Sequence, residues 1–260
     1  MTPKETTGGL DTEQFAELAE LVKSSKSVEL KLTIPQESTR AAVEALGLDP
    51  LEGQIRLVTF FDTPELDLNK AGVVARCRRI QGKGADSVVK LRPVVPDDLP
   101  AELRALDTFG IEVDAMPGGF VCSASFKGVA DPVKTKPVSF GKAPVRKVFN
   151  KGQRAFYKAH APEGLELDDL TALGPIFVVK VRFVPPELAH KLVAELWLYP
   201  DGSRIFELST KCAPPDLIEV YTNVRHYLIE RGIDRNGEQQ TKTKKALEFF
   251  TERLKEGAAG

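Results

Sequence analysis

Two periods alternate along the chain. Residues 12–23 place Phe15, Leu18 and Val22 on one stripe, the spacing of an amphipathic helix. From residue 27 the period falls to two: Val28, Leu30, Leu32 and Ile34 alternate with Ser27, Glu29, Lys31 and Thr33, which predicts a strand with one apolar and one polar face. Residues 35–46 fit a helix with Pro35 near its start and Gly47 after its end. Strands are expected over 54–62, 73–80, 87–92 and 119–127, with Gly82-Lys83-Gly84 joining the second and third as a hairpin. Residues 98–106 read as a short helix and 131–144 as a loop. Weaker strand patterns cover 145–150 and 153–158, and a helical turn at 168–173 stops at Gly174. Clean alternation returns at 176–184, then a hairpin joins 193–199 to 203–211 across Pro200-Asp201-Gly202. Residues 216–231 and 238–254 have helical spacing.

About eight strands, mostly consecutive, with helices near both ends predict an α+β fold built on an antiparallel sheet or barrel. The expected organisation is a disordered segment at 1–10, a sheet or barrel domain over 11–212, and a C-terminal helical segment at 213–255 packed on it. The tail, 256–260, also reads as disordered.

Composition narrows the function classes. Of 260 residues 42% are apolar and 28% charged, which suits a folded globular chain. No run approaches the ~20 apolar residues of a membrane span. A net charge of −1 argues against a protein that coats nucleic acid or a membrane. Three cysteines, Cys77, Cys122 and Cys212, point to a reducing, cytoplasmic setting rather than a disulfide framework.

The near-neutral total conceals segregation. Residues 76–92 hold six basic residues against one acidic, 97–114 six acidic against one basic, and 123–160 nine basic against Asp131 alone. On strands, charges at i and i+2 share a face: Glu29 with Lys31, Arg76 with Arg78, Lys90 with Arg92, Lys180 with Arg182, and Glu207 with Lys211. Glu195 lies beside Trp197 on the last hairpin. Two arrangements satisfy this pattern. A sheet can turn its charged face to water. Alternatively, a closed sheet collects the charges inside, where like charges repel unless a polyanion and its metal fill the space. Arginine suits phosphate through its planar fork and lysine through its compact charge, while carboxylates hold Mg²⁺ or Mn²⁺. Other chemistry is poorly represented. His160, His190 and His226 stand apart, and the chain has no G-x-x-x-x-G-K-[ST] loop, G-x-S-x-G elbow or H-E-x-x-H helix.

The order of several short runs resembles the CYTH family of triphosphate tunnel metalloenzymes. Ser27-Val28-Glu29-Leu30-Lys31 stands where that family has E-x-E-x-K. Phe60-Phe61-Asp62-Thr63-Pro64 is followed by a leucine-containing turn and by Arg76-Cys77-Arg78, then Val88-Val89-Lys90-Leu91-Arg92, and later Leu167-Asp168-Asp169-Leu170-Thr171-Ala172-Leu173-Gly174. The resemblance spans residues 27 to about 182. It implies a β-tunnel with helices outside and a triphosphate-containing small molecule threaded within. Glu29, Lys31, Arg76 and Arg78 would then be catalytic. Lys90, Arg92, Arg146, Arg154, Lys180, Arg182 and Lys211 would bind substrate. The reaction implied is metal-dependent hydrolysis of inorganic triphosphate or a related compound, with Mg²⁺ or Mn²⁺ as cofactor. Class IV-type adenylate cyclase activity and polyphosphate or nucleotide binding without turnover are the alternatives.

Two departures bear on the metal. Ser27 replaces the first glutamate, and Val178 and Lys180 stand where the family has an E-x-E strand. Strand parity offers Glu195 and Glu207 as replacements, leaving Glu29, Glu195, Glu207 and Asp168 as the expected metal ligands.

Overall fold

Nine strands close into a barrel in this computed structural model, which describes residues 18, 21–235, 239 and 241–258. They are β1 (Ser27–Ile34), β2 (Gln54–Asp62), β3 (Val73–Ile80), β4 (Gly84–Leu91), β5 (Phe109–Met116), β6 (Gly119–Ala130), β7 (Thr171–Phe183), β8 (Leu192–Leu198) and β9 (Arg204–Cys212). Around the barrel the order is β1-β5-β6-β4-β3-β2-β7-β8-β9. All neighbours are antiparallel except β1 and β5, which run parallel with Glu29 opposite Asp114. The fold is therefore α+β with a closed barrel, one of the two arrangements the pattern allowed and the one the resemblance implied, with nine strands and one parallel seam.

Closure follows from the two-residue period. Every strand offers an apolar outer face, and helices cover it. The helices used here are α1 (Thr39–Ala45), α2 (Pro132–Ser139), α3 (Lys151–His160), α4 (Leu217–Glu230) and α5 (Lys242–Ala258). Outward Ala75, Val89, Val113 and Phe126 pack with Val138 of α2 and with Phe156 and Tyr157 of α3. Leu32, Ile34, Ala194 and Leu208 pack with Ala42 of α1 and with Tyr227 and Leu228 of α4. A third cluster lies within the barrel. Val58, Phe60, Ile176, Val178 and Trp197 point inward and meet Ala246 and Leu247 of α5. So α5 covers an apolar section of the interior, and its first residues reach the charged section.

Several local expectations change. Residues 109–116, absent from the predicted strands, form β5. The loop expected at 131–144 contains α2, started by Asp131, whose side chain accepts from the Val133 amide, with Pro132 in the first turn. The strand patterns at 145–150 and 153–158 are both helical: Val145–Val148 is a 3₁₀ turn and Lys151–His160 is α3. A six-residue alternation is too short to prevail over a good helix start. Asn150 accepts from the Gln153 amide while the Gln153 side chain accepts from the Asn150 amide, a reciprocal cap. The turn at 168–173 shortens to Leu167–Asp169, and β7 begins at Thr171. The C-terminal helix extends through Ala258 into the tail expected to be disordered. Of the helix expected at 12–23, residues 18 and 21–23 are described and helical. The remainder of it, and the expected disordered segment 1–10, lie outside the described residues.

Gln153 carries the attachment of α3 to the barrel. Its side chain is fully buried. It donates to the carbonyls of Ser87 (3.0 Å) and Phe126 (3.1 Å) and accepts from the Ser87 hydroxyl (2.9 Å). Replacing it with alanine strands those groups, and each buried unpaired polar group costs about 1–3 kcal/mol. Gln153→Ala should therefore lower unfolding stability by roughly 2–4 kcal/mol in urea titrations. A loss within the ordinary range of an exposed surface change, below about 0.5 kcal/mol, would contradict this role.

Candidate functional site: a charged barrel interior

A cavity of about 670 Å³ occupies the barrel, lined by eleven Lys or Arg and six Asp or Glu residues. Strand register explains the concentration. Cross-strand partners on the inner face include Arg78 with Asp86, Lys180 with Glu195, Glu195 with Glu207, and Glu29 with both Lys211 and Asp114. Closure turns these pairs toward one another instead of toward water.

The charges form linked groups. Asp114 is buried and accepts from Lys31 Nζ (2.8 Å) and Lys90 Nζ (3.2 Å), with Arg92 at 3.9 Å. Burial alone would raise its pKa, but Lys31, Lys90 and Arg92 hold it well below the usual carboxylate range. The Lys31 ammonium is correspondingly stabilised: burial disfavours its charge, and Asp114, Glu29 and Glu207 more than offset that. Lys90 keeps the net effect of burial, which pushes its pKa down. Glu112 accepts from Lys211 (2.7 Å) and Lys127 (3.2 Å). Glu195 accepts from Lys180 (2.7 Å) through one oxygen, and from Lys242 and Trp197 Nε1 (3.3 Å) through the other. Lys242 also reaches Glu207 (2.6 Å).

The arginines of β2 and β3 are less compensated. Arg78 forks onto Asp86, its Nε 3.0 Å from Oδ1. Arg76 has no hydrogen-bond or ion-pair partner among the described residues, and Arg56 is held only by the neutral Gln54 (2.9 Å). Burial, then the neighbouring Arg78 charge, lowers the pKa of both groups to about 10. Asp86 and Glu195 favour the charged guanidinium groups but do not offset this effect.

The cavity wall brings together Glu29, Lys31, Arg76, Arg78, Lys90, Arg92, Lys180, Lys211, Glu195 and Glu207. Four residues expected at the site lie elsewhere. Arg146 is exposed on the outer 3₁₀ turn and pairs there with Asp168, whose carboxylate also accepts from the Arg146 amide (2.9 Å). Arg154 is exposed on α3 and donates to the Phe149 carbonyl (2.8 Å). These segments are helical and outside the barrel, so the strands that would have carried Arg146 and Arg154 to the cavity do not form. Arg182 shares the inward parity of Lys180 but is exposed beyond the cavity lining.

Sequence reasoning passed over Arg56, Asp86, Glu112, Asp114, Lys127 and Lys242. Phe109, Ile111, Val113 and Ala115 alternate with Gly110, Glu112 and Asp114, so the signal for β5 and its inward carboxylates was present. It was obscured by the acidic run around it. Asp62, in the Phe-Asp-Thr-Pro run, builds the turn after β2, accepting from the Thr63, Leu68 and Asn69 amides (2.8, 2.9 and 3.0 Å).

The donor set fits a divalent ion poorly. Among the described residues no three Asp, Glu, His or Cys side chains group to hold a metal. Asp168 is outside, Glu29 faces Lys31 (3.2 Å), and Lys242 spans Glu195 and Glu207. A hard cation requires several open oxygen ligands, and each of these carboxylates already accepts from a lysine or arginine.

No protein-family profile and no curated protein matches the chain in sequence. Its fold is shared with solved structures. A candidate adenylate cyclase from Bacillus halodurans superposes with a TM-score of 0.58 at 12% identity, covering 85% of this chain and 97% of that one. A candidate adenylyl cyclase from Hippeastrum, described as having a dominant triphosphatase activity, gives 0.58 at 17% identity, covering 82% and 91%. At these identities the likeness is one of fold.

The Glu112 carboxyl titrates at about 2 in the folded chain, because Lys211 and Lys127 outweigh the effect of its burial. The unfolded value is about 4.3. The stability gained is complete above the unfolded value and disappears as pH falls through the folded one. Thermal midpoints should therefore decline between about pH 5 and pH 2, and Glu112→Gln should make that decline shallower. A variant profile parallel to the parent's across this range would show that the Glu112 pairs do not contribute.

Proposed function

We propose that this chain binds the phosphate chain of inorganic triphosphate or a related triphosphate compound in the barrel cavity and acts as a triphosphatase. The observation that carries the reading is the Arg56–Arg76–Arg78 cluster, where buried Arg56 and half-buried Arg76 lack a hydrogen-bonded or ion-paired carboxylate among the described residues. A phosphate chain supplies the missing negative charge and accepts in the bidentate geometry that arginine offers. Lys90 and Arg92 extend the same surface, with Lys31, Lys180 and Lys211 across the cavity. The motif order resembling CYTH proteins, and the fold shared with a protein described as a triphosphatase, support the same substrate class.

The reaction is attack of water on a terminal phosphorus. The bridging P–O bond breaks, leaving diphosphate and phosphate with release of one proton. The chain's part is positioning and neutralisation of charge spread over the transferring group, so no serine or cysteine nucleophile is required. Glu29, ion-paired with Lys31 (3.2 Å) and opposite Lys211 on β9, is the carboxylate assigned here to orient water. The Mg²⁺ or Mn²⁺ expected from the resemblance enters no step here. Among the described residues no helix is long and apolar enough to cross a membrane, and the three cysteines are buried and free, in keeping with a cytoplasmic setting.

Binding without turnover is the second reading. It is favoured by the ion pairing of all six carboxylates on the cavity wall. Calorimetry with tripolyphosphate, together with assays for phosphate release and for cyclic AMP from ATP, separates the alternatives. Arg76→Ala should weaken tripolyphosphate binding by about 10- to 100-fold, the equivalent of one charged hydrogen bond at roughly 1.5–3 kcal/mol. Glu29→Gln should reduce phosphate release while leaving binding within about threefold. Tight binding with no phosphate release in any divalent metal would favour the binding protein, cyclic AMP formation the cyclase, and no tripolyphosphate binding would refute the reading altogether.

A further inference from the structure

Glu195 and Glu207 face each other across β8 and β9, two carboxylates on adjacent strands inside a cavity. Side chains so placed are about 4.5–5.5 Å apart at Cβ, and two like charges there repel. Such a pair either shares a proton or holds a cation between its members. In a tunnel with metal-binding carboxylates that cation would be a divalent ion; here it comes from the chain itself. Lys242, the first residue of α5, places its ammonium within ion-pair distance of both carboxylates, 2.6 Å from Glu207. It also sits over the Trp197 ring, 5.3 Å from the centroid.

This position is held by the fold. Ala246 and Leu247, one turn further along α5, are buried against the inward apolar residues of the barrel. Thr241 Oγ1 accepts from the Lys244 amide (3.2 Å) at the helix start, and the Tyr199 hydroxyl donates to the Lys242 carbonyl (3.4 Å). Lys180 takes the other Glu195 oxygen (2.7 Å). A divalent ion entering here would have to expel one ammonium and remain beside a second.

We propose that Lys242 is the resident cation of the Glu195–Glu207 pair, filling the position a divalent ion would otherwise bridge, so that this chain takes up polyphosphate without a metal at that site. The tunnel floor is then a fixed arrangement of protein charges whose occupancy does not vary with metal concentration. The inference rests on the reading of the cavity as a polyphosphate site, but the metal exclusion can be measured separately.

Trp197 is the chain's single tryptophan and lies against the site, so its fluorescence reports a paramagnetic ion bound there. The full chain is titrated with Mn²⁺ alone, following tryptophan quenching and the loss of the free Mn²⁺ electron paramagnetic resonance signal. The parent should show no saturable quenching. Lys242→Met, which frees Glu207 and one oxygen of Glu195, should gain one saturable Mn²⁺ site. Lys242→Met combined with Glu207→Gln should lose it again, and Lys242→Arg, which keeps the charge, should exclude Mn²⁺ as the parent does. Circular dichroism and thermal melting confirm that each variant is folded; if Lys242→Met is not, the parent and Lys242→Arg still decide the question. A saturable Mn²⁺ site in the parent that Glu207→Gln abolishes would overturn the proposal. So would a folded Lys242→Met that gains no Mn²⁺ site. In parallel, tripolyphosphate is titrated by calorimetry in the presence of EDTA. Binding within about threefold of that measured with Mn²⁺ supports metal-independent uptake, and binding seen only with Mn²⁺ overturns it. Absence of tripolyphosphate binding under both conditions refutes the proposed function, while the Mn²⁺ titration still judges the role of Lys242.

Discussion

Positive charge confined inside a closed barrel requires a partner, and in this chain the buried carboxylate of Asp114 provides much of it. Lys31 of β1 and Lys90 of β4 both donate to it, and Arg92 is 3.9 Å away. These groups come from distant parts of the chain, and the parallel seam between β1 and β5 brings them to one place. Loss of one member of such a group leaves the others charged in a region of reduced dielectric, which costs far more than loss of an exposed ion pair. The remaining interior pairs follow the same logic: Arg78 with Asp86, Lys211 with Glu112, Lys180 with Glu195.

Against that balance, the imbalance at Arg56 and Arg76 defines the site. Neither guanidinium has a hydrogen-bonded or ion-paired carboxylate among the described residues, and the more distant Asp86 and Glu195 do not offset their burial and mutual repulsion, an arrangement that gains most when an external anion arrives. The interior thus divides by charge. The section around Asp114 is partly neutralised by the chain's own carboxylates, whereas Arg56 and Arg76 on the β2–β3 wall have no such ion pair among the described residues. Near the carboxylates of β8 and β9 the chain supplies its own cation through α5, and the same helix covers the apolar part of the interior with Ala246 and Leu247.

The legible part of the site was the part written in regular alternation. Arg76 with Arg78, Lys90 with Arg92, and Glu29 with Lys31 share faces by parity alone, and all six line the cavity. The expectation failed where the backbone was not a strand. Arg146 and Arg154 lie in segments whose weak alternation gave way to a 3₁₀ turn and a capped helix, which placed them outside. Asp168 followed them, bound to Arg146. Asp114 and Glu112 were hidden for a different reason. Their strand lies within an acidic run that resembles a solvated segment, although its apolar positions alternate as regularly as those of β1. Lys242 had no local signal, because a lysine at a helix start has the same sequence appearance whether it meets water or a buried carboxylate pair.

By itself the sequence determined which residues share a face. Side-chain direction on a strand alternates every residue, and that rule needs no knowledge of the fold. It thereby settled that the chain carries apolar faces backed by charged ones, and that the overall charge of −1 is made of opposed local blocks. Which way those faces turn was decided only by tertiary structure. Barrel closure, the β1–β5 pairing and the docking of α5 each join residues far apart in the chain, and no local period encodes such contacts. Their energetics are collective: a charged face directed inward is tolerable only when its partners arrive from other strands, so the fate of Lys31, Arg76 or Glu195 depends on the closed barrel rather than on its neighbours in sequence.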